Sequence, residues 1–261
     1  MNARAGDESG CDELVRAAEA QGVRTHLFRT GSDDLGAVAS SAREGPIGIA
    51  GGDGSLGPVA AVCIERGLPF VCVPFGTRNH FARDVGLDEV DPRAALEAFG
   101  RDAIERRIDV GRANDHVFLN NVSLGAYARL VHRRERHRRR LEALARLRAL
   151  ALVARDWHPV PVTVDGTPVR ARVLLVANNS YTLELLSLGE RERLDEGRLH
   201  LYATTGVLRR AWDERVDDRF VVDSRRGRLQ AAVDGEPDVL ETPIEFRVHP
   251  GALRVLLPRG K

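Results

Sequence analysis

The sequence predicts a fold of the α/β plus β class, with an N-terminal Rossmann-like α/β domain at 1–103 and a β-sandwich domain at 104–261. Strand and helix patterns alternate in the first part, which favours a mostly parallel sheet. Glycines follow the buried apolar run at 47–50, as they do where a strand turns into a ligand-binding loop. From Ile104 onward, short apolar runs separated by Gly, Asn and Pro are typical of antiparallel strands.

The composition fits a protein with two cores. The chain has 261 residues, of which 43% are apolar, and a net charge of +1, which argues against nucleic-acid binding. No apolar run approaches the roughly 18 to 20 residues of a membrane span, and no charged-then-apolar leader opens the chain. We therefore expect a cytoplasmic protein. Cys11, Cys63 and Cys72 lack metal-ligand spacing and are expected to be buried thiols in a reducing compartment.

The first domain is predicted element by element from its apolar periodicity. The expected order is a helix at 11–21, a strand at 23–28, a helix at 35–43, a buried strand at 47–50, a helix from about 56, a strand at 69–74 and a helix at 91–99. Asp91 is the expected N-cap of the last helix, and Pro92 stands at its first position. In such a sheet, the glycine loop lies at the carboxyl end of its strand, where ligands bind.

The loop that contains Asp53 is the most informative stretch of this domain. Its glycines allow backbone N–H groups to approach a phosphate, and the following helix directs its positive end to the same place. A carboxylate among such amides would repel a phosphate unless a metal ion or a proton in transfer lies between them. Asp53 therefore favours phosphoryl transfer over simple anion binding.

Other glycine motifs explain this loop less well. Gly52–Gly57 matches the dinucleotide pattern G-x-G-x-x-G, but that pattern needs an acidic residue about twenty positions later, and no carboxylate follows the next strand before Asp84. A P-loop and a protein-kinase site both need a lysine near the phosphates. The only lysine of the chain is Lys261. A dehydrogenase stays the less favoured alternative.

Two linked motifs resemble the catalytic domain of the diacylglycerol kinase family. Gly51-Gly52-Asp53-Gly54-Ser55-Leu56 is similar to the family's GGDGT loop. Pro74-Phe75-Gly76-Thr77-Arg78-Asn79-His80-Phe81-Ala82-Arg83 is similar to its P-x-G-T-x-N-D-F-A-R segment. The family is related to the sphingosine and NAD kinases. The resemblance implies an ATP-dependent lipid kinase with diacylglycerol as the default acceptor and Mg²⁺ as the metal.

The resemblance also assigns roles to residues. ATP binding is expected at Gly51, Gly52, Asp53, Gly54, Ser55, Gly76, Thr77, Asn79 and Arg83, and at Asn2, which takes the place of the family's N-P-x-x-G turn. Asp234, in Asp234-Gly235-Glu236, matches the family's general base, with Glu236 and Asp53 as further catalytic carboxylates. Asp195 and Asp109 match metal-linked carboxylates of the family. Read without the family, Asp234-Gly235 is a common hairpin turn.

One position departs from the family pattern, because His80 stands where the family segment has an aspartate. This removes one of the carboxylates that the resemblance implies around the structural metal. Whether this chain binds that metal is therefore left open by the sequence. If His80 marks a loss of activity, the alternative is a non-catalytic nucleotide-binding regulatory relative. Within the kinases, the alternative is an NAD kinase-like or other small-alcohol kinase.

The second domain is predicted to contain short strands and one inserted basic helix. The expected strands are 108–111, 116–122, 159–164, 169–177, 199–204, 220–224, 229–233, 244–248 and 253–257. The helix, at about 129–155, carries Arg133 to Arg140 beside a leucine stripe. It is either a solvated surface helix or a contact with an anionic membrane at the inner face. The sequence leaves open whether the protein forms a homodimer.

Overall fold

A computed structural model describes residues 8–28, 33–76, 79–87, 91–125, 128, 159–181, 191–204 and 212–259. The chain divides into two compact units, Met1–Val110 with Pro250–Lys261, and Gly111–His249. The described strands belong to two sheets, and helices accompany them, so the mixed α/β class is confirmed. The domain boundary after residue 103 stays a prediction.

The first unit contains five α-helices within the described ranges and the strands that precede the glycine loops. The helices are α1 Glu8–Ala20, α2 Leu35–Ser40, α3 Leu56–Arg66, α4 His80–Asp84 and α5 Pro92–Ala95. Strands β1 Ile47–Gly51 and β2 Phe70–Pro74 alternate with them, and 3₁₀ turns lie at Asp53–Ser55 and Leu96–Phe99.

One predicted strand of this unit is wrong. Between residues 23 and 28, only Phe28 forms a bridge and is buried, while Leu27 is exposed. A strand propensity does not produce a strand where the side chains have no sheet face to pack against. The predicted cap of α5 is confirmed, because the Asp91 side chain accepts a hydrogen bond from Arg93 N at 2.9 Å and Pro92 follows it.

The strands of the first unit pair in parallel. Ile47 lies opposite Phe70, and Gly51 lies opposite Pro74. The last strand, β14 Ile244–Leu257, also pairs in parallel with β2, through Val255 and Leu256, although its segment was grouped with the second domain. Because the carboxyl ends of β1 and β2 lie at the same edge, both glycine loops begin there.

The second unit is built mainly from strands. They are β3 Ile104–Ala113, which begins in the first unit, β4 His116–Phe118, β5 Asn121–Gly125, β6 Val160–Val164, β7 Thr167–Ala171, β8 Val173–Asn178, β9 Leu199–Thr204, β10 Trp212–Asp217, β11 Arg219–Asp223, β12 Arg228–Val233 and β13 Glu236–Glu241. The predicted strand at 116–122 is two strands, β4 and β5, and the one at 169–177 is also two, β7 and β8. Conversely, the two predicted strands after residue 243 form the single strand β14.

The six-stranded sheet has the order β10-β9-β8-β5-β12-β13, with antiparallel neighbours. Its two outer strands, β10 and β13, were not predicted, because their sequences are acidic and polar, as is usual at a sheet edge. In the other sheet, β11 pairs with β6 and with the first part of β14. Buried side chains of both sheets, including Phe118, Leu124, Val164, Phe220 and Phe246, form one core.

Candidate functional site

The first glycine loop connects β1 to α3. Gly51 ends β1, Gly52 is extended, and Asp53–Ser55 form a 3₁₀ turn that runs directly into α3. The Ser55 hydroxyl donates to the Gly52 carbonyl oxygen at 2.7 Å, and Ser55 N donates to the same oxygen at 3.0 Å. The loop is therefore closed by its own hydrogen bonds, while Gly52 and Gly54 stay partly exposed.

The second loop follows β2 and is closed by one side chain. Asn79 Nδ2 donates to Gly76 O, and Gly76 N donates to Asn79 Oδ1, both at 3.1 Å. The two loops also touch, because a Cβ atom at Gly76 would lie 2.5 Å from Gly52 Cα. Only glycine at position 76 permits this approach of two backbones.

Asp53 joins the first loop to the helix that follows the second. Its side chain is buried, and its carboxylate oxygens accept hydrogen bonds from His80 N at 3.0 Å and Phe81 N at 2.9 Å. These N–H groups belong to the first turn of α4, where no intrahelical partner exists. Asp53 therefore fixes the two motif segments to one another, which the sequence did not reveal.

The other residues near the predicted nucleotide site differ in their exposure, and some of them lie outside the described residues. Arg83 and the ring of His80 are exposed on α4. Cys72 is buried in β2, and burial, with the Asp53 charge in second place, raises the pKa of its thiol. All three cysteines are free and buried, as predicted. Asn2, Thr77 and the basic helix at 129–155 lie outside the described residues.

The predicted metal carboxylates differ in their surroundings. Asp109 is buried, and its Oδ1 accepts a hydrogen bond from Gly251 N at 2.9 Å. Asp195 is exposed, and its Oδ1 accepts one from Arg193 Nε at 3.1 Å. Within the ranges that the structure describes, no three His, Cys, Asp or Glu side chains are grouped to hold a metal ion.

Asp234 occupies a tight turn of the second unit. Asp234 and Gly235 have φ values of +46° and +85°, and they connect β12 to β13 with Val233 opposite Glu236. Positive φ at both central residues is the signature of a type I′ hairpin, which Asp-Gly favours. Glu236 is exposed at the first position of β13.

The Asp234 carboxylate binds the backbone between β4 and β5. It accepts hydrogen bonds from Leu119 N and Asn120 N, both at 2.8 Å, and from Asn121 N at 3.0 Å. In addition, Asp234 N donates to Asn121 O at 2.9 Å. These bonds hold the carboxylate in one position, and the backbone bends there instead of continuing the predicted strand.

Arg191 binds the same segment and was missed by the sequence analysis. Its guanidinium donates to Leu119 O at 2.6 Å, to Asn120 Oδ1 at 2.7 Å and to Asn178 O at 3.0 Å. Its neighbours in sequence, Glu190 and Glu192, give it the pattern of a surface charge run. No local signal therefore marked Arg191 as buried.

A second cluster of polar side chains contains His200, which is buried. Its Nδ1 lies 2.8 Å from Glu214 Oε1, and its Nε2 lies 3.1 Å from Glu196 Oε2. The ring stacks on Tyr202, and burial raises the pKa of that phenol to about 12. Glu196, next to the predicted Asp195, is thus the less exposed carboxylate of this turn.

Comparison with known protein families supports the resemblance noted in the sequence. A model of the diacylglycerol kinase catalytic domain matches residues 1–113. A probable lipid kinase YegS-like protein of Pseudomonas aeruginosa is 29% identical over 238 residues, which cover 80% of this chain and 76% of that protein. A probable lipid kinase YegS-like protein of Klebsiella pneumoniae is 37% identical over 81 residues, or 30% of this chain and 26% of that protein.

The fold is also similar to that of a solved structure. A crystal structure of a diacylglycerol kinase from Bacillus anthracis aligns with a TM-score of 0.66, covering 98% of this chain and 94% of that chain at 17% identity. At this identity the likeness concerns the fold. Among the described residues, no helix has the length and apolar character needed to cross a membrane.

Proposed function

Because the chain belongs to the diacylglycerol kinase family, we propose that it is an ATP-dependent lipid kinase that transfers the γ-phosphoryl group to a lipid hydroxyl. The single observation that carries the proposal is the junction of the two motif loops, with Gly76 against Gly52 and Asp53 bound to His80 N and Phe81 N. Two loops fixed in this way present closely spaced backbone at the carboxyl ends of β1 and β2, where nucleotides bind in such sheets.

In this proposal the first unit is a Rossmann-like nucleotide-binding domain, and the second is a β-sandwich. The partly exposed glycines of the loops and the N-terminus of α3 bind the ATP phosphates. Arg83 is the motif arginine that supplies positive charge, since neither of the two loop motifs contains a lysine in its sequence. Asp53 keeps the loops together, and its buried carboxylate accepts two backbone N–H groups.

Asp234 is the proposed general base, and Glu236 supports the same turn. An alcohol attacks phosphorus efficiently only when its proton has an acceptor, and a carboxylate held in one position provides that acceptor. The three N–H bonds to Asp234 supply this fixed position. Mg²⁺ would come with the nucleotide, bound largely by its phosphates, and would neutralise their charge.

Diacylglycerol is the first acceptor to test. The names of the relatives describe lipid kinases without naming a particular lipid. We therefore propose a lipid hydroxyl as the general acceptor and diacylglycerol as one specific case of it. We also propose that the basic segment at 129–155, outside the described residues, contacts an anionic membrane surface through Arg133 to Arg140.

The proposal is tested with the full chain, radiolabelled ATP and Mg²⁺. Mixed micelles supply diacylglycerol, a sphingosine-like base or another lipid alcohol, and NAD is offered in solution. We expect label in a lipid phosphate from the wild type and nearly none from Asp234→Asn in parallel. Label in NADP alone would support the NAD kinase alternative, and ATP binding without transfer to any acceptor would support the regulatory alternative.

A further inference from the structure

Arg191 and Asp234 bind the two ends of one peptide group. We propose that Arg191 is a positioning residue for the Asp234 carboxylate, acting through the peptide between Leu119 and Asn120. The catalytic meaning of this inference rests on the proposed function, in which Asp234 is the base. The contacts themselves all lie within the second unit.

Arg191 is a buried cation whose hydrogen bonds converge on the segment at 119–121. Its side chain is only 4% exposed, although its sequence neighbours Glu192 and Arg193 are exposed. A guanidinium removed from water requires good acceptors, and Arg191 has the Leu119 carbonyl at 2.6 Å and Asn120 Oδ1 at 2.7 Å. Burying a guanidinium costs desolvation free energy, and the neighbouring residues of this segment are exposed. The burial of Arg191 therefore indicates a specific role.

The contacts hold Arg191 from more than one side. Its guanidinium lies 5.3 Å from the centre of the Tyr181 ring, a cation–π arrangement. It also donates to Asn178 O at 3.0 Å, while Asn178 Nδ2 donates to Leu119 O at 3.2 Å. The Leu119 carbonyl is therefore fixed by two donors, and one of them is charged.

The same peptide group meets Asp234 at its other end. The carbonyl oxygen of Leu119 accepts from Arg191, and the N–H of Asn120 donates to Asp234 Oδ1 at 2.8 Å. In a trans peptide these two groups point in opposite directions. The order along this line is guanidinium, carbonyl, N–H and carboxylate, so the cation and the anion bind opposite ends of one peptide group.

This arrangement acts on Asp234 in two ways. A cation at the carbonyl oxygen polarises the peptide and strengthens its N–H as a donor, because hydrogen bonds in a chain reinforce one another. Arg191 also fixes the orientation of this peptide plane, which fixes the direction of the Asn120 N–H bond. Arg191 thereby sets both the position of the carboxylate and the strength with which it is held.

The test compares Arg191→Met and Arg191→Lys with a matched control, Arg170→Met. Arg170 is an exposed arginine of β7 in the same unit, so its loss removes the same charge. The measured quantities are kcat, the KM for ATP, and the chemical shift and hydrogen exchange of the Asn120 amide by NMR.

For Arg191→Met, we expect kcat to fall by up to roughly 10²-fold, since a small displacement of a reacting group costs this much, with little change in the KM for ATP. The Asn120 amide shifts upfield and exchanges faster. Arg191→Lys gives an intermediate result, because an ammonium cannot reproduce the planar fork of guanidinium. Arg170→Met behaves as the wild type.

A combined variant separates positioning from general damage. If Arg191 acts through Asp234, then adding Arg191→Met to Asp234→Asn lowers kcat little further, whereas independent effects would multiply. Multiplying effects overturn the inference, as does a wild-type kcat or an unchanged Asn120 amide in a folded Arg191 variant. If Arg191→Met does not fold, Arg191→Lys decides by the same criteria.

The outcomes also separate this inference from the proposed function. A wild-type protein that phosphorylates no acceptor contradicts the kinase proposal. The amide measurement then still decides whether Arg191 orders the Asp234 site, because it requires no turnover.

Discussion

Asp53 and Asp234 use the same chemistry in different units, since each carboxylate accepts backbone N–H groups from a distant segment. Such bonds satisfy backbone N–H groups and restrict the carboxylate to one position. A catalytic carboxylate and a structural one can therefore share the same pattern of contacts. Single substitutions distinguish them by separating stability from turnover.

Asp53→Ala is expected to lower both stability and activity. The change removes the acceptors of His80 N and of the buried Phe81 N, and an unsatisfied buried donor costs about 1–3 kcal/mol. Chemical denaturation should show this loss, and ATP binding should weaken because the two loops separate. Asp53→Asn keeps one acceptor oxygen and should therefore lose less stability and less ATP affinity than Asp53→Ala. Wild-type stability in the alanine variant would contradict the joining role.

Asp234→Asn should separate chemistry from binding. The amide keeps the size of the carboxylate but cannot take the acceptor's proton, so kcat should fall by roughly 10² to 10⁴. ATP affinity, measured by calorimetry, should change little. A variant that keeps its rate but loses ATP binding would instead make Asp234 a nucleotide or metal ligand.

The glycine loops show how an element depends on a backbone contact. Gly76→Ala would place a Cβ atom 2.5 Å from Gly52 Cα, and backbone there cannot move aside like a flexible side chain. Overpacking of this kind costs about 1–3 kcal/mol, so we expect ATP affinity to fall roughly tenfold or more. Gly36→Ala is the control, because its nearest atom is a side-chain oxygen at 3.3 Å. Equal ATP affinity in the two variants would show that the loop contact is not needed.

The strand pair β8–β9 contains a titratable group with a clear pH signature. Burial raises the pKa of Tyr202 from 10.0 to about 12, so the folded state favours the neutral phenol. The raised pKa makes the folded state relatively more stable while Tyr202 is neutral in both states. This contribution to the free energy of unfolding is complete below pH 10 and is lost as the pH rises toward 12. Ultraviolet titration should show a late tyrosine step that Tyr202→Phe removes. Ionisation of every tyrosine near pH 10 would contradict this prediction.

The molecule as a whole must reach its acceptor if that acceptor is a lipid. We expect binding to anionic vesicles that weakens steeply with salt, because charges near a surface are screened within about 10 Å at 0.1 M salt. Changing Arg133, Arg134, Arg136, Arg138, Arg139 and Arg140 to glutamine should abolish binding in a vesicle sedimentation assay. Unchanged sedimentation would show that these arginines only face solvent.

The sequence by itself indicated the resemblance to the diacylglycerol kinase family, the mixed α/β class, and the local turns and helix caps. Asp91 before Pro92, the Asp234-Gly235 turn and the glycines after β1 act through neighbours in the chain, so their residue types are sufficient signals. It failed where an element depends on its neighbours in space. The segment at 23–28 has strand composition but no strand, and β10 and β13 have edge composition but are strands.

Only the tertiary structure decided which distant groups meet. Asp53 binds N–H groups 27 and 28 residues away, and Arg191 and Asp234 bind one segment from 71 and 114 residues away. The partners in these contacts are largely backbone N–H and C=O groups, which every residue except proline carries alike. A residue's type therefore shows that it can bind such a group, but the packing of the strands decides which group lies within 3 Å of it.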